Sequence, residues 1–437
     1  MKTLLLAAGR SKRMKPIKDK NFLDFMGKPL LQHQLEALGE AGFTDIVVVA
    51  GAHNMEAVNS LVSKMKDLNI EVVEQKDLDA GMCGAVLAAK NYIMDGPALV
   101  VSSNDIVDVE AFRLIKEAYK PGIADSFILG KKVKEYFPGG YLEISDDGVI
   151  KNIIEKPEKG SEPSDLVNLV VHLHVETTRL VKEMEKVSSK NDDLYEVALM
   201  NMINGGMKMK VTEYDGFWQP VKFPWHVQKV FKYFFDKAEK RVSDKAQIAE
   251  SAIINGDVII EDGVKIFDGA TVNGPAYIGK DSVIATNALV RDSYIGEKCV
   301  IGFSTEIARS YLGHDVWTHS NYVGDSVIGN NVSFGAGAVT GNLRLDEKNI
   351  HVDHDGNKID TGTSKFGLIT GDNVRFGINA SMMPGIKVGA DSFVGAGIVV
   401  GENIPDGSFV RGKWKLKISK NKSQIEVKAR DNIRKNL

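Results

Sequence analysis

Near its start the chain places a turn of small residues between an apolar run and two positively charged side chains. The turn is Ala7-Ala8-Gly9, and Arg13 and Lys20 follow it. Backbone N–H groups around such a turn can hold phosphate oxygens, and the two cations can balance the charge of those oxygens. The spacing matches neither the P-loop pattern nor the glycine pattern of dinucleotide-binding proteins. We therefore expect a different kind of polyphosphate-binding loop.

The elements that must position this turn alternate between apolar strands and amphipathic helices. The predicted strands cover residues 3–7, 46–50, 70–74, 98–102 and 126–131. The predicted helices cover residues 30–41, 55–66, 84–92, 109–119, 194–204 and 225–240. This alternation predicts an α/β fold with a Rossmann-like, mostly parallel sheet, extended by antiparallel strands over residues 139–175. Ligands bind at the carboxyl ends of parallel strands, where both Gly9 and Asp105 fall.

From about residue 248 to residue 410 the sequence changes to a six-residue period. Large apolar residues open the repeats at Ile248, Ile254, Ile260, Ile266, Val272, Ile278, Ile284, Val290, Ile295, Ile301, Ile307, Ile328, Phe334, Phe376, Met382, Val388, Val394 and Val400. A branched side chain at every sixth residue can line the interior of a three-sided parallel coil. We therefore expect a left-handed parallel β-helix of hexapeptide repeats with roughly eight coils.

Two segments depart from this repeat. Residues 343–365 are polar and lose the period, and a loop of this length in a solenoid usually carries function. Residues 411–437 form a basic tail, for which a solvated terminal helix and a ligand-contacting role both remain open. The expected boundaries are therefore residues 1–240, 244–410 and 411–437.

Composition limits the class of protein. The 437 residues exceed one ordinary domain, and 43% hydrophobic and 26% charged residues are typical of a globular protein. A net charge of -3 gives no support for binding nucleic acid or a membrane. The only cysteines, Cys83 and Cys299, exclude a disulfide scaffold. No run approaches the roughly 18 apolar residues of a membrane span, so we expect a cytoplasmic protein.

The basic turn belongs to a longer pattern. It reads Leu-Ala-Ala-Gly-x-x-x-Arg-Met, then Lys20, then Gly-Lys-Pro-Leu-Leu at residues 27–31, and it resembles the opening of the sugar-1-phosphate nucleotidylyltransferases. The likeness covers roughly residues 1–235. It implies that a sugar-phosphate oxygen attacks the α-phosphorus of a nucleoside triphosphate and that pyrophosphate leaves. It also implies that Arg13 and Lys20 are catalytic and that Asp105 binds Mg²⁺.

The same resemblance assigns further binding residues. Those implied for the nucleotide are Ala7, Ala8, Gly9, Arg13, Lys20, Gln75 and Gly81. Those implied for the sugar and its phosphate are Gly140, Glu155, Lys156 and Asn168. The expected nucleotide is UTP or dTTP, because the family usually reads uracil or thymine.

One position departs from the family pattern. Relatives commonly carry Trp-x-Asp-Val, in which the aspartate is a second metal ligand, whereas residues 218–221 here are Trp-Gln-Pro-Val. The side chain of Pro220 cannot bind a metal ion. Three alternatives stay open: weaker metal affinity, replacement of the missing ligand by Asp108, or loss of activity in this half.

The second half carries its own chemical pattern. Residues 319–325, His-Ser-Asn-Tyr-Val-Gly-Asp, precede a glycine-rich segment that ends at Asn342. They resemble the acetyltransferase half of the archaeal-type bifunctional glucosamine-1-phosphate acetyltransferase/N-acetylglucosamine-1-phosphate uridylyltransferases. The likeness covers about residues 245–410. It implies that His319 is the general base, since an imidazole can take the proton that an amine must lose before it attacks a thioester.

The acetyltransferase likeness also implies ligand contacts. Tyr322, Asn342 and Lys348 are expected to hold the amino-sugar phosphate. Ala380 and Ala396 are expected to leave room for the pantetheine arm of acetyl-CoA, the co-substrate.

Together the two patterns predict a bifunctional enzyme with a nucleotidyltransferase domain and an acyltransferase domain. It would acetylate glucosamine-1-phosphate and then couple the product to UTP, as a homotrimer with no nucleic-acid or membrane partner. The first alternative is a monofunctional glucose-1-phosphate thymidylyl- or uridylyltransferase with a purely structural β-helix. The second is a catalytically degenerate regulatory subunit, which Pro220 favours.

Overall fold

The computed structural model describes residues 1–94, 96–189, 193–413, 415–422 and 434. The strands of the N-terminal half are β1 (Lys2–Leu6), β2 (Asp24–Phe25), β3 (Lys28–Pro29), β4 (Asp45–Ala50), β5 (Asn69–Glu74), β6 (Ala98–Ser102), β7 (Asp105–Val107), β8 (Ser126–Lys132), β9 (Gly140–Ile144), β10 (Ile150–Glu155), β11 (Leu166–His174), β12 (Met209–Glu213) and β13 (Trp218–Pro220). Its α-helices are α1 (Leu30–Glu40), α2 (Met55–Val62), α3 (Gly81–Ala88), α4 (Val109–Ala118), α5 (Thr177–Met184), α6 (Leu194–Asn204) and α7 (Val227–Lys237).

The N-terminal sheet confirms the α/β prediction. Its main path runs β10-β9-β11-β6-β1-β4-β5, with β8 and β12 attached beside β11. Strands β6, β1, β4 and β5 are parallel, whereas β9, β10 and β11 form the expected antiparallel extension. In β1, Leu6 pairs with Ser102 on one side and with Val49 on the other. The turn after β1 and the segment after β6 therefore meet at one edge of the sheet.

From Arg241 onward the chain forms short parallel strands on three faces, as the hexad repeat predicts. The first face contains Arg241–Val242, Val258–Ile260, Ala276–Ile278, Tyr294–Ile295, Tyr311–Leu312, Val327–Ile328, Ile369–Thr370 and Lys387–Val388. The second contains Gln247–Ile248, Lys265–Ile266, Val283–Ile284, Val300–Ile301, Ser333–Phe334, Arg375–Phe376, Phe393–Val394 and Phe409–Val410, with Trp317 bridging its two parts. The third contains Ile253–Asn255, Thr271–Asn273, Leu289–Arg291, Glu306–Ala308, Tyr322–Gly324, Val339–Thr340, Ser381–Met382 and Val399–Val400.

The repeat openers fill the interior of this β-helix. Ile266 pairs with Ile284 and Val272 pairs with Val290, so equivalent residues stack from coil to coil. From Ile260 onward the openers are buried in one apolar core. Polar residues such as Asn287, with φ of 58°, occupy the corners, where a left-handed backbone conformation turns the chain. A period of six thus separates inward apolar positions from turn positions.

The 343–365 insertion contains a small antiparallel hairpin, His351–His354 paired with Asn357–Asp360, which we call the tip hairpin. The last helix of the N-terminal half ends at Lys237, and the final β-helix strand is Phe409–Val410. Residues 411–413 and 415–422 are exposed and irregular, and apart from Arg434 the rest of the predicted terminal helix lies outside the described residues. Among the described residues, every helix falls short of the length and apolar character that a membrane crossing requires.

A ladder of tyrosines joins the two halves. Tyr277, Tyr294 and Tyr311 come from three successive coils of the first face and stack with 4.8 Å between ring centroids. They are at most 4% exposed, and they share an apolar cluster with Phe25 and Phe231 of the N-terminal half. Burial of each aromatic side chain is worth about 1.5 to 3 kcal/mol, so this cluster holds the halves in one arrangement.

An ion pair crosses the same boundary: His314 of the β-helix bonds the carboxylate of Asp24. This hydrogen bond raises the pKa of His314 above its ordinary value. A raised folded-state pKa stabilises the protein below the unfolded value of 6.5, and the contribution disappears as pH rises through the folded value.

We expect His314→Gln to lower Tm by about 1 to 2 °C near pH 5.5, and by less near pH 8.5, because only the protonated imidazole carries the extra charge. Thermal unfolding of both proteins at the two pH values measures this difference. A Tm difference that does not change with pH would show that the charge of His314 contributes nothing to docking.

Candidate active site

The carboxyl edge of the N-terminal sheet opens into a cavity of about 750 Å³. It lies among the loop after β1, the start of α3, the start of β7 and the extension made by β9, β10 and β11. All but Ala7 of the residues predicted to bind the nucleotide, the metal or the sugar phosphate line it: Ala8, Gly9, Arg13, Lys20, Gln75, Gly81, Asp105, Gly140, Glu155, Lys156 and Asn168.

Buried amides hold the loop after β1. The Nδ2 groups of Asn21 and Asn54 both donate to the carbonyl oxygen of Ala7, at 3.2 and 3.0 Å. Ala7 is fully buried, so it anchors the loop and does not face the cavity. If Gly9 carried a Cβ, no atom of the described residues other than Gly9 and its two chain neighbours would lie within 4 Å of it. The backbone is therefore bare at the point where a phosphate can approach it.

The two predicted cations differ in burial. Lys20 is 7% exposed, and its Nζ donates to the carbonyl oxygen of Val221 at 3.2 Å. Burial, together with the nearby Arg13 guanidinium, lowers the pKa of Lys20 to about 8. The Lys20 ammonium is thus charged at neutral pH and loses its charge as pH rises through that value. Arg13 is exposed, with its guanidinium carbon 5.7 Å from the centre of the Phe223 ring.

Two backbone carbonyls orient Gln75. Its Nε2 donates to the carbonyl oxygens of Asp77 and Gly81, both at 2.8 Å. Because a carbonyl oxygen only accepts, the amide nitrogen is fixed toward the backbone and Oε1 remains as an acceptor for a ligand. An acceptor suits the imide N–H of uracil or thymine.

Asp105 begins β7, and the antiparallel register places Pro220 of β13 directly opposite it. One carboxylate oxygen of Asp105 accepts a hydrogen bond from Trp218 Nε1 at 2.8 Å. Burial raises the pKa of Asp105, although the Trp218 hydrogen bond, Lys222 and Lys20 oppose this shift. Pro220 thus stands where a second carboxylate would face Asp105.

Asp108 does not replace that second ligand. Its carboxylate accepts hydrogen bonds from the Tyr233 hydroxyl and the Phe217 N–H, both at 2.9 Å, and it pairs with Lys237. Within the described residues no group of three or more His, Cys, Asp or Glu side chains could hold a metal ion. A divalent cation would therefore bind Asp105 together with oxygens of the ligand and water, an arrangement that suits Mg²⁺.

Lys222 is a cavity residue that the sequence analysis missed. Its Nζ donates to the Pro138 carbonyl oxygen at 3.2 Å and lies 4.3 Å from the centre of the Phe137 ring. Burial lowers the pKa of Lys222, and the nearby Asp105 carboxylate opposes this shift. The sequence signal that could have identified it is its position, two residues beyond Pro220 in the motif that differs from the family pattern.

A buried chain of hydrogen bonds orients Asn168 on the sugar side. It runs from Ser126 through His174, Tyr195 and His172 to Asn168 Oδ1, with successive distances of 2.8, 3.0, 2.9 and 2.8 Å. Burial lowers the pKa of both histidines, that of His174 to about 3, so each neutral ring has one donor and one acceptor. With Oδ1 facing His172, each group donates to the next. Nδ2 of Asn168 is then left to donate to a ligand.

The second predicted site lies on the β-helix. His319 is exposed at the corner between the second and third faces. Asn321 holds this corner, because its Oδ1 accepts from the His319 N–H and its Nδ2 donates to the carbonyl oxygens of Gly335 and Ala338, at 2.8 and 2.9 Å. The imidazole therefore projects from a fixed backbone into solvent.

Tyr322 and Asn342, which are predicted to contact the same ligand, belong to one hydrogen-bonded group. Nδ2 of Asn342 donates to the Tyr322 hydroxyl at 3.0 Å and also to the Asp325 carboxylate. Arg309 binds Asp325 in a bidentate ion pair, at 2.6 and 2.7 Å, and this pairing raises the pKa of Arg309. A Cβ on Gly324 would lie 2.5 Å from the Tyr322 hydroxyl, which explains the glycine. Arg309 is a member of this group that the sequence analysis missed.

The other predicted acetyltransferase contacts are more dispersed. Lys348 is exposed in the first part of the 343–365 insertion, and Ala396 is exposed on the β-helix. Ala380 is fully buried, and its methyl group packs in the β-helix core. A pantetheine arm could therefore reach only the backbone of Ala380, not its side chain.

Comparisons with known proteins agree with both halves. Residues 3–188 match the MobA-like NTP transferase domain family, and residues 238–357 match the GMPPB C-terminal domain family. A bifunctional sugar-1-phosphate nucleotidylyltransferase/acetyltransferase of Sulfurisphaera tokodaii is 32% identical, over 94% of this chain and 100% of that protein. The bifunctional protein GlmU of Methanocaldococcus jannaschii is 30% identical, over 94% of this chain and 97% of that protein. A solved UDP-glucose pyrophosphorylase complexed with UDP-glucose aligns with a TM-score of 0.47 at 20% identity, over 54% of this chain and 99% of its own.

A nucleotidyltransferase domain joined to a parallel β-helix defines a class of two-domain transferases. The alignments with these relatives cover 94% of this chain and therefore extend over both of its domains. The chain belongs to the family of bifunctional sugar-1-phosphate nucleotidylyltransferase/acetyltransferases, and the resemblance drawn from its two motifs is confirmed.

Proposed function

We propose that the N-terminal half transfers the uridylyl group of UTP to N-acetylglucosamine-1-phosphate and releases pyrophosphate. The observation that carries this proposal is the convergence of Gly9, Arg13, Lys20 and Asp105 in one cavity with the sugar-side residues. A phosphate oxygen of the sugar attacks the α-phosphorus of UTP, the bond to the β-phosphate breaks, and pyrophosphate leaves. Positioning and charge stabilisation supply the catalysis, because no enzyme nucleophile is required.

Each side of the cavity has a separate role in this reaction. The loop around Gly9 receives the triphosphate, and Arg13 and Lys20 stabilise the charge that spreads over its oxygens. The Oε1 atom of Gln75 accepts from the uracil imide. On the opposite side, Nδ2 of Asn168 donates to a sugar hydroxyl.

We propose that Mg²⁺ acts with this half. Asp105 would hold it together with triphosphate oxygens, and the ion would neutralise part of their charge. Lys222 adds a fixed cation near Asp105, in the same motif in which Pro220 takes the place of a second carboxylate. A lysine at this place supports activity with a single carboxylate ligand.

We propose that the β-helix acetylates glucosamine-1-phosphate with acetyl-CoA. His319 takes a proton from the attacking amine, the amine nitrogen bonds to the acetyl carbon, and the bond to the CoA sulfur breaks. The group of Arg309, Tyr322 and Asn342 supplies donors for the sugar phosphate, and Lys348 is proposed as a further contact. The exposed corner at His319 supports access by both substrates.

We also propose a homotrimer in the cytoplasm. The first face of the β-helix is covered by the N-terminal half, whereas the other faces and their corners expose large apolar side chains: Phe267, Phe303, Trp317, Val339, Ile378, Met383, Phe393 and Val399. Exposed apolar side chains in this number favour association, and a neighbouring copy would then border the His319 corner. Two buried free cysteines, Cys83 and Cys299, are compatible with a reducing compartment.

Coupled assays test both activities on the same preparation. The purified protein is given Mg²⁺ and each combination of glucosamine-1-phosphate, N-acetylglucosamine-1-phosphate or glucose-1-phosphate with UTP or dTTP, with and without acetyl-CoA. We expect thiol release only with the amino sugar and acetyl-CoA, and pyrophosphate release from UTP with the acetylated sugar. Pyrophosphate release from glucose-1-phosphate without any acetyl transfer would support the monofunctional alternative. Nucleotide binding without any turnover would support the regulatory alternative.

The buried chain of hydrogen bonds that ends at Asn168 gives a separate prediction for sugar binding. Tyr195→Phe removes the hydroxyl that joins His172 to His174, which leaves buried ring nitrogens without partners. We expect a loss of stability of about 1 to 3 kcal/mol and a KM for the sugar phosphate raised about threefold to tenfold, with the KM for UTP unchanged. Urea unfolding and steady-state kinetics measure these effects. Tyr119→Phe is the control, because Tyr119 lies beyond the end of α4 and outside the cavity. Equal sugar KM values for the two variants would contradict the role of the hydrogen-bond chain in orienting Asn168.

A further inference from the structure

The tip hairpin of the C-terminal half reaches the cavity of the N-terminal half. His354 and Asp355 both line the 750 Å³ cavity, together with Arg13, Lys20 and Asp105. The hairpin belongs to the insertion in the β-helix, so it is distant in sequence from every other residue of the cavity. The side chain of His354 is 20% exposed, whereas that of Asp355 is 84% exposed. The imidazole is therefore the part of the hairpin that packs toward the cavity wall.

The turn of the hairpin is tight. His354 pairs with Asn357, so only Asp355 and Gly356 connect the strands. Both have left-handed backbone conformations, with φ of 50° and 81°. Two such residues form the type I′ turn that suits a two-residue hairpin, and Asp-Gly is a preferred sequence for it. The position of the His354 backbone is thus set by the hairpin itself.

The base of the hairpin is anchored in the apolar cluster between the halves. Ile350 and Val352 are each 1% exposed, and they share this cluster with Met14 and Val221. Met14 follows Arg13 in the loop after β1. On the β-helix side, a Cβ on Gly385 would lie 2.8 Å from Ile350 Cγ2, so the hairpin packs directly on the coil. The hairpin is consequently fixed to both halves.

Aromatic contacts lead from the hairpin base to the triphosphate end of the cavity. Phe366, just after the insertion, contacts Trp225 with 6.0 Å between ring centroids. Trp225 stacks on Phe223 at 4.5 Å, and the guanidinium of Arg13 lies 5.7 Å from the Phe223 ring centre. The same aromatic row therefore supports both Arg13 and the hairpin. Through this row the base of the hairpin is linked to the loop after β1 that carries Arg13.

We infer that His354 binds the triphosphate of the nucleotide, so that the C-terminal half completes the cavity of the N-terminal half. This inference rests on the proposed function, because it assumes that the cavity receives a nucleoside triphosphate. An imidazole offers a ring N–H donor in either protonation state, and a phosphate oxygen accepts it. Asp355 Oδ2 lies 3.4 Å from His354 Nε2. Because Asp355 is largely in solvent, a phosphate oxygen can take its place beside the ring.

Calorimetric titration with UTP in the presence of Mg²⁺ tests this inference on the full-length protein. We expect His354→Ala to raise the Kd for UTP about tenfold to a hundredfold, the loss of one hydrogen bond to a charged group. His354→Gln keeps a donor at the same place, and we expect it to recover part of the affinity. Asn357→Ala changes the paired residue of the same hairpin, which does not line the cavity, and is expected to leave the Kd unchanged.

The outcomes separate the two proposals. If wild-type protein binds UTP and His354→Ala binds it equally well, the hairpin inference is overturned while the proposed function stands. If wild-type protein does not bind UTP, the proposed function of the cavity fails first, and the hairpin inference fails with it. Equal losses in His354→Ala and Asn357→Ala would also overturn the inference, because they would show only a disturbed hairpin. Thiol release from acetyl-CoA in each variant confirms that the β-helix remains folded.

Discussion

Arg13→Ala is expected to lower kcat/KM for pyrophosphate release by about 10² to 10³ while the protein keeps its fold. The guanidinium is exposed in the cavity, so its removal opens no core. It removes a fixed charge next to the phosphates, and the loss of one such group commonly costs this factor. Steady-state kinetics with UTP and N-acetylglucosamine-1-phosphate measure the effect.

Lys15→Ala is the matched control for this variant. Lys15 is an exposed cation in the same loop, and it does not line the cavity. We expect its kinetics to remain close to those of the wild type. The assignment of Arg13 would be wrong if the two variants differed by less than about threefold, because loss of general positive charge would then explain both.

His319→Ala is expected to lower the rate of acetyl transfer by about 10² to 10⁴ with no change in uridylyl transfer. The imidazole is exposed and its corner is held by Asn321, so the substitution removes a proton acceptor without disturbing the coil. Thiol release from acetyl-CoA in the presence of glucosamine-1-phosphate measures the loss.

Uridylyl transfer from added N-acetylglucosamine-1-phosphate is the internal control in the same preparation. Arg13→Ala provides the reciprocal case, because it should retain acetyl transfer. A loss of less than about tenfold in His319→Ala would exclude His319 as the general base, since proton transfer by a placed side chain is worth more than that. A parallel loss of both activities would instead indicate misfolding.

Local patterns carried most of the fold. The strand at 98–102 was predicted at its observed bounds, Ala98–Ser102, because five consecutive apolar or small residues admit no other buried element of that length. The β-helix followed from its period, since successive openers lie on successive faces of a three-sided coil and every third opener stacks on the same face. Helix ends were less well predicted: α2 ends at Val62, although the pattern of residues 55–66 extends further. Beyond Val62 the N–H groups of Lys64 and Met65 donate to the carbonyl oxygens of Leu61 and Val62, so the chain tightens into i→i−3 turns.

The cavity residues that follow strands were predicted from the sequence. The residues that were missed reach their sites through packing between segments that are distant in the chain. Lys222 enters because β13 pairs with β7, a contact that no local pattern encodes. The role of Tyr195 depends on two histidines of β11 that read as ordinary core positions. Arg309 joins Asn342 only because successive coils stack. Ala380 was predicted to border open space because it is a small residue near glycines. In the structure its methyl group is buried in the β-helix core.

The spacing of the tyrosine ladder has a geometric consequence for the whole enzyme. Each ring comes from one coil, and the rings repeat at 4.8 Å, the distance between neighbouring strands. A solenoid can gain or lose a complete coil without damage to its interior, because every coil contacts only its neighbours. The tip hairpin, however, follows the tyrosine ladder along the β-helix. One coil more or fewer between the ladder and the hairpin would shift the hairpin by one strand spacing relative to the cavity of the N-terminal half. The number of coils in that interval therefore sets the alignment of the two domains.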